Sequence, residues 1–203
     1  MAKRESTFTN MVITLLLVTA VSATALGLVY DFTKDAIEAA KQKTQAEAIA
    51  KVLPPYDKLG EPFKVAAVDA TDSLDFFPAF MGTKPVGIAV KTYTKKGFSG
   101  LITIMTGIDE KGNFSGYEIL SHAETPGLGS KMTNWFKNSE KPKQNIVGKN
   151  PDSTRFMVSK DGGDIDAITA STISSRAFLD AMVRAYNAYK KNESTTSGTS
   201  GNQ

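Results

Sequence analysis

From Ser6 to Tyr30 the chain carries no charged side chain, and Met11 to Tyr30 is dominated by Val, Ile, Leu and Ala. A run of this length is poorly suited to the surface of a water-soluble domain. About twenty helical residues span roughly 30 Å, the thickness of a bilayer's hydrocarbon core, and a helix satisfies every backbone polar group within itself there. The segment therefore predicts a single transmembrane helix over residues 11–30. Lys3 and Arg4 precede it, and Asp31, Lys34 and Asp35 follow it. The positive-inside rule keeps residues 1–10 cytoplasmic and exports what comes after the helix. Ala23-Thr24-Ala25 also resembles a signal-peptide cleavage site, but the apolar run continues through Leu26, Gly27, Leu28 and Val29. That is longer than most signal-peptide cores and favours an uncleaved anchor.

The rest of the chain, within a total of 203 residues, is long enough for one domain with a real core. It contains no cysteine and one histidine, His122. Disulfides, iron–sulfur ligation, thiolate zinc and a His-rich metal centre are excluded, so no metal site is expected and any redox chemistry needs an organic cofactor. The net charge of +3 is spread along the chain rather than gathered in a patch. That pattern argues against nucleic-acid binding. No G-x-G-x-x-G lies between a strand and a helix, so NAD is not expected to bind here.

Residues 31–53 are rich in Ala, Lys, Gln and Glu and predict a juxtamembrane helix ended by Pro54-Pro55, with Ile37, Ala40, Ala48, Ile49 and Val52 as a modest apolar stripe. Pro54 to Lys84 reads as irregular, with Phe76, Phe77 and Phe80 serving the core. Alternation in Ile88–Thr94, the β-branched run Leu101–Ile108 and the segment Phe114–Leu120, each separated by a turn, predicts an antiparallel meander. Trp135-Phe136 fits a short helix, residues 137–151 a polar excursion, and Arg155–Ser159 another short strand. Ile173, Ala177, Phe178, Ala181, Met182, Ala185 and Tyr189 recur at helical spacing and place one apolar face on a final helix. The Ser-, Thr- and Gly-rich residues 191–203 predict a disordered tail. The class is therefore α+β, with an antiparallel sheet and packed helices at 54–190, preceded by one transmembrane helix.

Two segments can carry chemistry. At the start of the final helix, Thr169, Ser171, Thr172, Ser174 and Ser175 surround the small Ala170. One hydroxyl caps a helix; several, beside free backbone N–H groups and the positive end of the helix dipole, suit a phosphate, to which Arg176 could add charge. The second segment is the loop H-A-E-T-P-G-L-G from His122 to Gly129. Its glycines let a flat ring approach the backbone, and Pro126-Gly127 fits a type II turn. Capping and a plain strand-to-helix connection explain each segment alone. A hydrolase using His122 with Ser121 or Glu124 is a further reading, weakened because adjacent strand residues point to opposite faces. An anchored interaction domain without redox role is another.

Taken together, the two segments resemble the FMN-binding domain shared by the G subunit of the Rnf complex and the C subunit of the Na⁺-translocating NADH:quinone oxidoreductase. E-T-P-G-L-G stands intact from Glu124 to Gly129. Asp166, Thr169 and Thr172 match the family's D-x-x-(S/T)-G-A-T motif, with Ala170 in place of its glycine and Ser171 in place of its alanine. The chain's length favours the Rnf protein over the C subunit. The resemblance implies FMN joined through its phosphate to Thr172. It also implies that Glu124, Thr125, Pro126, Gly127, Leu128 and Gly129 line the ring, and that Thr169, Ala170, Ser171, Ile173 and Ser174 shape the seat. Lys160 is an electrostatic neighbour under this reading. The implied partners are a Mg-dependent flavin transferase and the other subunits of a bacterial inner-membrane complex that couples ferredoxin and NAD electron exchange to ion translocation. Such a subunit relays electrons and is not catalytic alone.

Overall fold

The structure, a computed structural model, describes residues 7–67 and 72–199, with side chains to residue 194. Lys3 and Arg4, on which the orientation of the anchor turns, lie outside the described residues. The chain divides into two units, Met1–Thr44 and Gln45–Gln203.

Helix α1 spans Phe8–Val52, and its apolar part is long and hydrophobic enough to cross a membrane. Its hydroxyls fit that environment. Thr14, Thr19, Thr24 and Thr33 each donate to the carbonyl four residues back, at 2.8–2.9 Å, so none needs water.

The second unit is built on six antiparallel strands: β1 (Lys58–Leu59), β2 (Phe63–Ala66), β3 (Ser73–Met81), β4 (Lys84–Gly97), β5 (Gly100–Asp109) and β6 (Phe114–Ser121). The order is β1-β3-β4-β5-β6, with β2 also paired to β3. The expected meander is β4 to β6. The segment expected to be irregular instead supplies β1, β2 and β3. Pro78 is tolerated within β3, where the strand bulges between Ala79 and Phe80. Arg155–Ser159 forms no strand; only an isolated bridge joins Val158 to Ile165.

Strand alternation sorts side chains to two faces. On one, Val90, Ile102, Ile104, Ile108 and Tyr117 meet the short helix α2 (Met132–Trp135) and the long helix α3 (Thr172–Thr199). On the other, Ala89 and Met105 meet Ala48, Ile49, Val52 and Leu53 from the end of α1. The α1 end docks closely because Gly107 and Gly116 leave room for it: a Cβ on Gly107 would stand 2.0 Å from the Val52 carbonyl oxygen. Ser115 donates to that carbonyl at 2.6 Å, satisfying one of the acceptors a helix end leaves open. Of the expected apolar stripe, Ala48, Ile49 and Val52 belong to this unit and are buried in it.

Helix α3 runs on to Thr199, through part of the segment 191–203 expected to be disordered; residues 200–203 lie outside the described residues. Nothing between Asn192 and Ser197 breaks a helix, and Tyr189 and Ser194 bond Glu193 and the Lys190 carbonyl within it. Its apolar face is as expected except at the first position, where Ile173 is 49% exposed. Phe178 is the centre of the packing, stacked on Phe136 with ring centroids 4.3 Å apart and edge-on to Tyr117 at 4.8 Å. Tyr117 donates to the Met132 carbonyl at 2.6 Å, and burial raises its pKa far above the ordinary phenol value. Phe178→Ala removes the shared partner of both rings and will destabilise the domain by about 3–5 kcal/mol, read as a lowered denaturation midpoint of the detergent-solubilised chain.

Candidate functional site

The two chemistry-bearing segments meet at one cavity. Loop 122–129 follows β6, and the hydroxyl run opens α3, whose packing on β4 fixes where that opening falls. Thr92 donates to the Ala181 carbonyl at 2.9 Å and Thr94 to Asp180 at 2.9 Å, links that set the helix along the strand. Between the loop and the helix start lies a cleft of about 340 Å³, within the range of small-molecule sites. Phe98, Glu124, Thr125, Leu128, Gly129, Ala170, Ser171, Thr172, Ile173 and Ser174 line it.

Pro126 and Gly127 form the expected type II turn: Leu128 N–H donates to the Thr125 carbonyl at 3.1 Å, and Gly127 has φ +77°. Neither is among the residues that line the cleft. Thr169 is exposed and outside the lining, and so is Lys160, which lies on a short 3₁₀ turn, Ser159–Asp161. Arg176 also turns away. It forms a two-pronged ion pair with Asp161, both contacts at 2.7 Å, which holds the Asp161 carboxyl below its ordinary range and leaves this guanidinium engaged away from the cleft.

Helix α3 begins without the expected side-chain cap. Ser175 N–H donates to the Ser171 carbonyl at 3.0 Å, the first helical bond. The Ser171 hydroxyl lies 3.1 Å from the Ser174 hydroxyl, which in turn donates to Glu124. Among the described residues, the N–H groups of Thr172, Ile173 and Ser174 therefore have no protein acceptor, and the Thr172 hydroxyl is likewise unengaged at the cleft. Ser175 closes the loop before the helix: its hydroxyl accepts from Ile168 N–H and donates to the Ser171 carbonyl, both at 2.9 Å. Asp166 anchors the same loop, taking the Ser159 hydroxyl on its carboxylate at 2.6 Å and the Trp135 indole N–H on its carbonyl at 3.0 Å.

Ala170 has φ +61°, the one described non-glycine residue in the left-handed region. This is the position at which the resembling motif has glycine. The serine–histidine reading finds no support in the geometry. His122 Nδ1 accepts Glu124 N–H at 3.1 Å, while the Glu124 oxygens engage Ser99 and Ser174.

Sequence reasoning missed Phe98 and Ser99, which arrive from the β4–β5 turn. A signal was present: Phe98, 68% exposed, is an aromatic ring in a turn bracketed by Gly97 and Gly100, a place usually given to polar residues.

A helix start with open N–H groups beside an apolar-walled cleft, on an antiparallel sheet, is the class of site that suits a phosphorylated ligand with a flat apolar part. Residues 97–187 match the FMN-binding domain family, and that span holds every residue lining the cleft. Similarity also extends over most of the chain. The G subunit of the ion-translocating oxidoreductase complex of Aliivibrio fischeri strain ES114 is 32% identical over 189 residues, 86% of this chain and 87% of that protein. The corresponding G subunits from Shewanella amazonensis and Cronobacter sakazakii are 32% and 31% identical, covering 79% and 85% of this chain and 78% and 86% of those proteins. The chain belongs to the G-subunit family of ion-translocating oxidoreductase complexes.

A left-handed alanine costs about 1 kcal/mol relative to glycine. Ala170→Gly will therefore raise stability by about that amount, measured as an increased denaturation midpoint with unchanged denaturant slope. Ala170→Val will lower it.

Proposed function

We propose that this chain is a membrane-anchored electron-relay subunit in which FMN is joined by a phosphoester to Thr172 Oγ1. The observation that carries the proposal is the state of the α3 start: an unengaged threonine hydroxyl beside three backbone N–H groups with no acceptor among the described residues, all at a cleft inside the FMN-binding domain. Thr172 would hold the phosphoryl group covalently. The N–H groups of Thr172, Ile173 and Ser174 would face its oxygens at the positive end of the helix dipole. Leu128 and Ile173 offer apolar surface to the ring, and Gly129 lets the loop backbone lie close. FMN, when bound, supplies one-electron and two-electron redox chemistry. The chain's own part is to hold the cofactor, exclude water from one side and leave another side open to a partner. No acid–base pair is required.

The named relatives belong to complexes that translocate ions, and on that basis this chain works with other membrane subunits, coupling electron exchange between ferredoxin and NAD to ion movement. A separate Mg-dependent flavin transferase would install the cofactor. Helix α1 serves as an uncleaved anchor in the bacterial inner membrane, with residues 1–10 in the cytoplasm and the FMN domain on the periplasmic side.

Co-expression with the flavin transferase will give a yellow protein whose intact mass includes one FMN. Thr172→Ala will remove both colour and adduct, whereas Thr172→Ser will keep a measurable adduct because the hydroxyl survives. Wild-type protein that stays colourless and unmodified under these conditions overturns the covalent reading. In membrane fractions, N-terminal sequencing will find the chain uncleaved at Ala25, and protease added to spheroplasts will digest the domain while sparing the anchor.

A further inference from the structure

Three side chains at the cleft pass their hydrogen bonds in one direction. Glu124, 4% exposed, accepts the backbone N–H of Ser99 on Oε1 at 2.9 Å and the hydroxyl of Ser174 on Oε2. The backbone of Gly129 closes over this pair. A Cβ there would stand 2.5 Å from Oε2 and 2.6 Å from Ser174 Oγ, so the contact is sealed from other partners. A hydroxyl has one hydrogen to donate and two lone pairs to accept with. Ser174 gives its hydrogen to Glu124, and the 3.1 Å contact between the Ser171 and Ser174 hydroxyls therefore has one sense, with Ser171 donating. Ser171 is itself 8% exposed and lines the cleft. Among the described residues, no group donates to its Oγ. The side chain that precedes Thr172 thus offers the cleft lone pairs and no donor.

Such an oxygen selects its partner by sense. Phosphate oxygens and ring carbonyls also carry only lone pairs and are disfavoured beside it, whereas a ligand O–H or N–H is accepted. Resting on the covalent FMN reading above, we propose that Ser171 is a specificity-determining residue that accepts a hydrogen bond from the 4′-hydroxyl of the ribityl chain. Ser174, held by Glu124, is the positioning residue that fixes the sense of the Ser171 hydroxyl. Connectivity picks out the ligand group. With the phosphate on Thr172 Oγ1, the 4′-hydroxyl is the donor fewest bonds from the attachment point, and Ser171 is the adjacent residue. The N–H of the flavin ring lies at the far end of the same molecule. The backbone N–H groups of the α3 start then address the phosphate, and the Ser171 oxygen addresses the polyol.

The test uses the full-length chain in detergent, expressed without the flavin transferase and titrated with FMN, 4′-deoxy-FMN and riboflavin by flavin emission anisotropy. Wild type will bind FMN about three- to tenfold more tightly than 4′-deoxy-FMN, the effect of one hydrogen bond. Ser171→Ala will bind the two alike, near the wild-type affinity for the deoxy compound. Its preference for FMN over riboflavin, which reports the phosphate, will match wild type; a fall in that ratio means that Ser171 donates to the phosphate and overturns the assignment. A Ser171→Ala chain that still prefers FMN to 4′-deoxy-FMN, or a wild type without that preference, also overturns it, while FMN binding stands. Ser174→Ala frees the Ser171 hydrogen to turn to the cleft and will raise the FMN-over-riboflavin ratio about twofold or more. The double variant with Ser171→Ala will not show this rise; an unchanged ratio in Ser174→Ala overturns the positioning role. If the unmodified chain binds too weakly to titrate, the attached flavin decides. Co-expressed Ser171→Ala will carry the FMN mass adduct with lower emission anisotropy than wild type, and equal anisotropy overturns the contact. A wild-type chain that neither carries nor binds FMN overturns this assignment and the FMN reading together.

Discussion

The docking of helix α3 across the sheet is the interaction on which the rest of the domain depends. Phe178 inserts between Phe136 and Tyr117, and the Thr92 hydroxyl reaches the Ala181 carbonyl in a buried hydrogen bond. Apolar contact alone would let a helix slide or rotate, because burial is not directional. A buried hydroxyl that would otherwise lack a partner penalises such slippage by leaving a polar group unsatisfied. The helix start is therefore closely placed, and with it Thr172. Site and core are set by the same contact.

This dependence explains which parts were legible in the sequence. The periodicity from Ala177 to Tyr189 exposes the helix because one face must be buried along its length. The alternation in β4 and the β-branched run of β5 expose the meander for the corresponding reason in strands. Ile173 fits the same spacing and yet stays outside the core. It sits in the first turn on the wall of the open cleft, whereas Ser174 and Ser175 of the same turn face inward and are buried. Periodicity reports phase around a helix, not how far along it the neighbouring surface extends. The strands β1 to β3 were hidden by the prolines in and around them, Pro62 between β1 and β2 and Pro78 within β3 beside its bulge, since a proline usually marks an irregular segment.

The site was half legible. Glu124 to Gly129 and Ala170 to Ser174 stand out because both are dense in residues with special backbone or hydroxyl properties. That they face each other is a property of the sheet order, not of either segment. Phe98 and Ser99 were missed because their part is defined by a contact across 25 residues of chain, from Ser99 N–H to Glu124. Arg176 could add charge only if it faced the seat, and a guanidinium near a helix start favours an anion only if no carboxylate reaches it first. Asp161 does.

The charge at the cleft bears on how an anion could stay there. Of the residues lining it, only Glu124 is charged, and its negative charge is held back from the opening by Ser99 and Ser174. With Arg176 occupied and Lys160 outside the lining, a phosphate would meet neutral N–H donors and a helix dipole rather than a cation. A helix terminus contributes on the order of 0.3–1 kcal/mol toward a charge at an exposed site, far short of what retains a dilute ligand. The dipole of the helix start alone would therefore hold a phosphate only weakly. A covalent ester removes that requirement: the donors then need only orient a phosphodiester already attached, carrying a single charge. The departure of Ser171 from the family's alanine fits the same logic, since its hydroxyl is turned toward Ser174 and leaves the helix N–H groups open. Under the proposed linkage, the exposed, neutral helix start and the threonine hydroxyl serve one purpose: the bond would supply retention and the helix start direction.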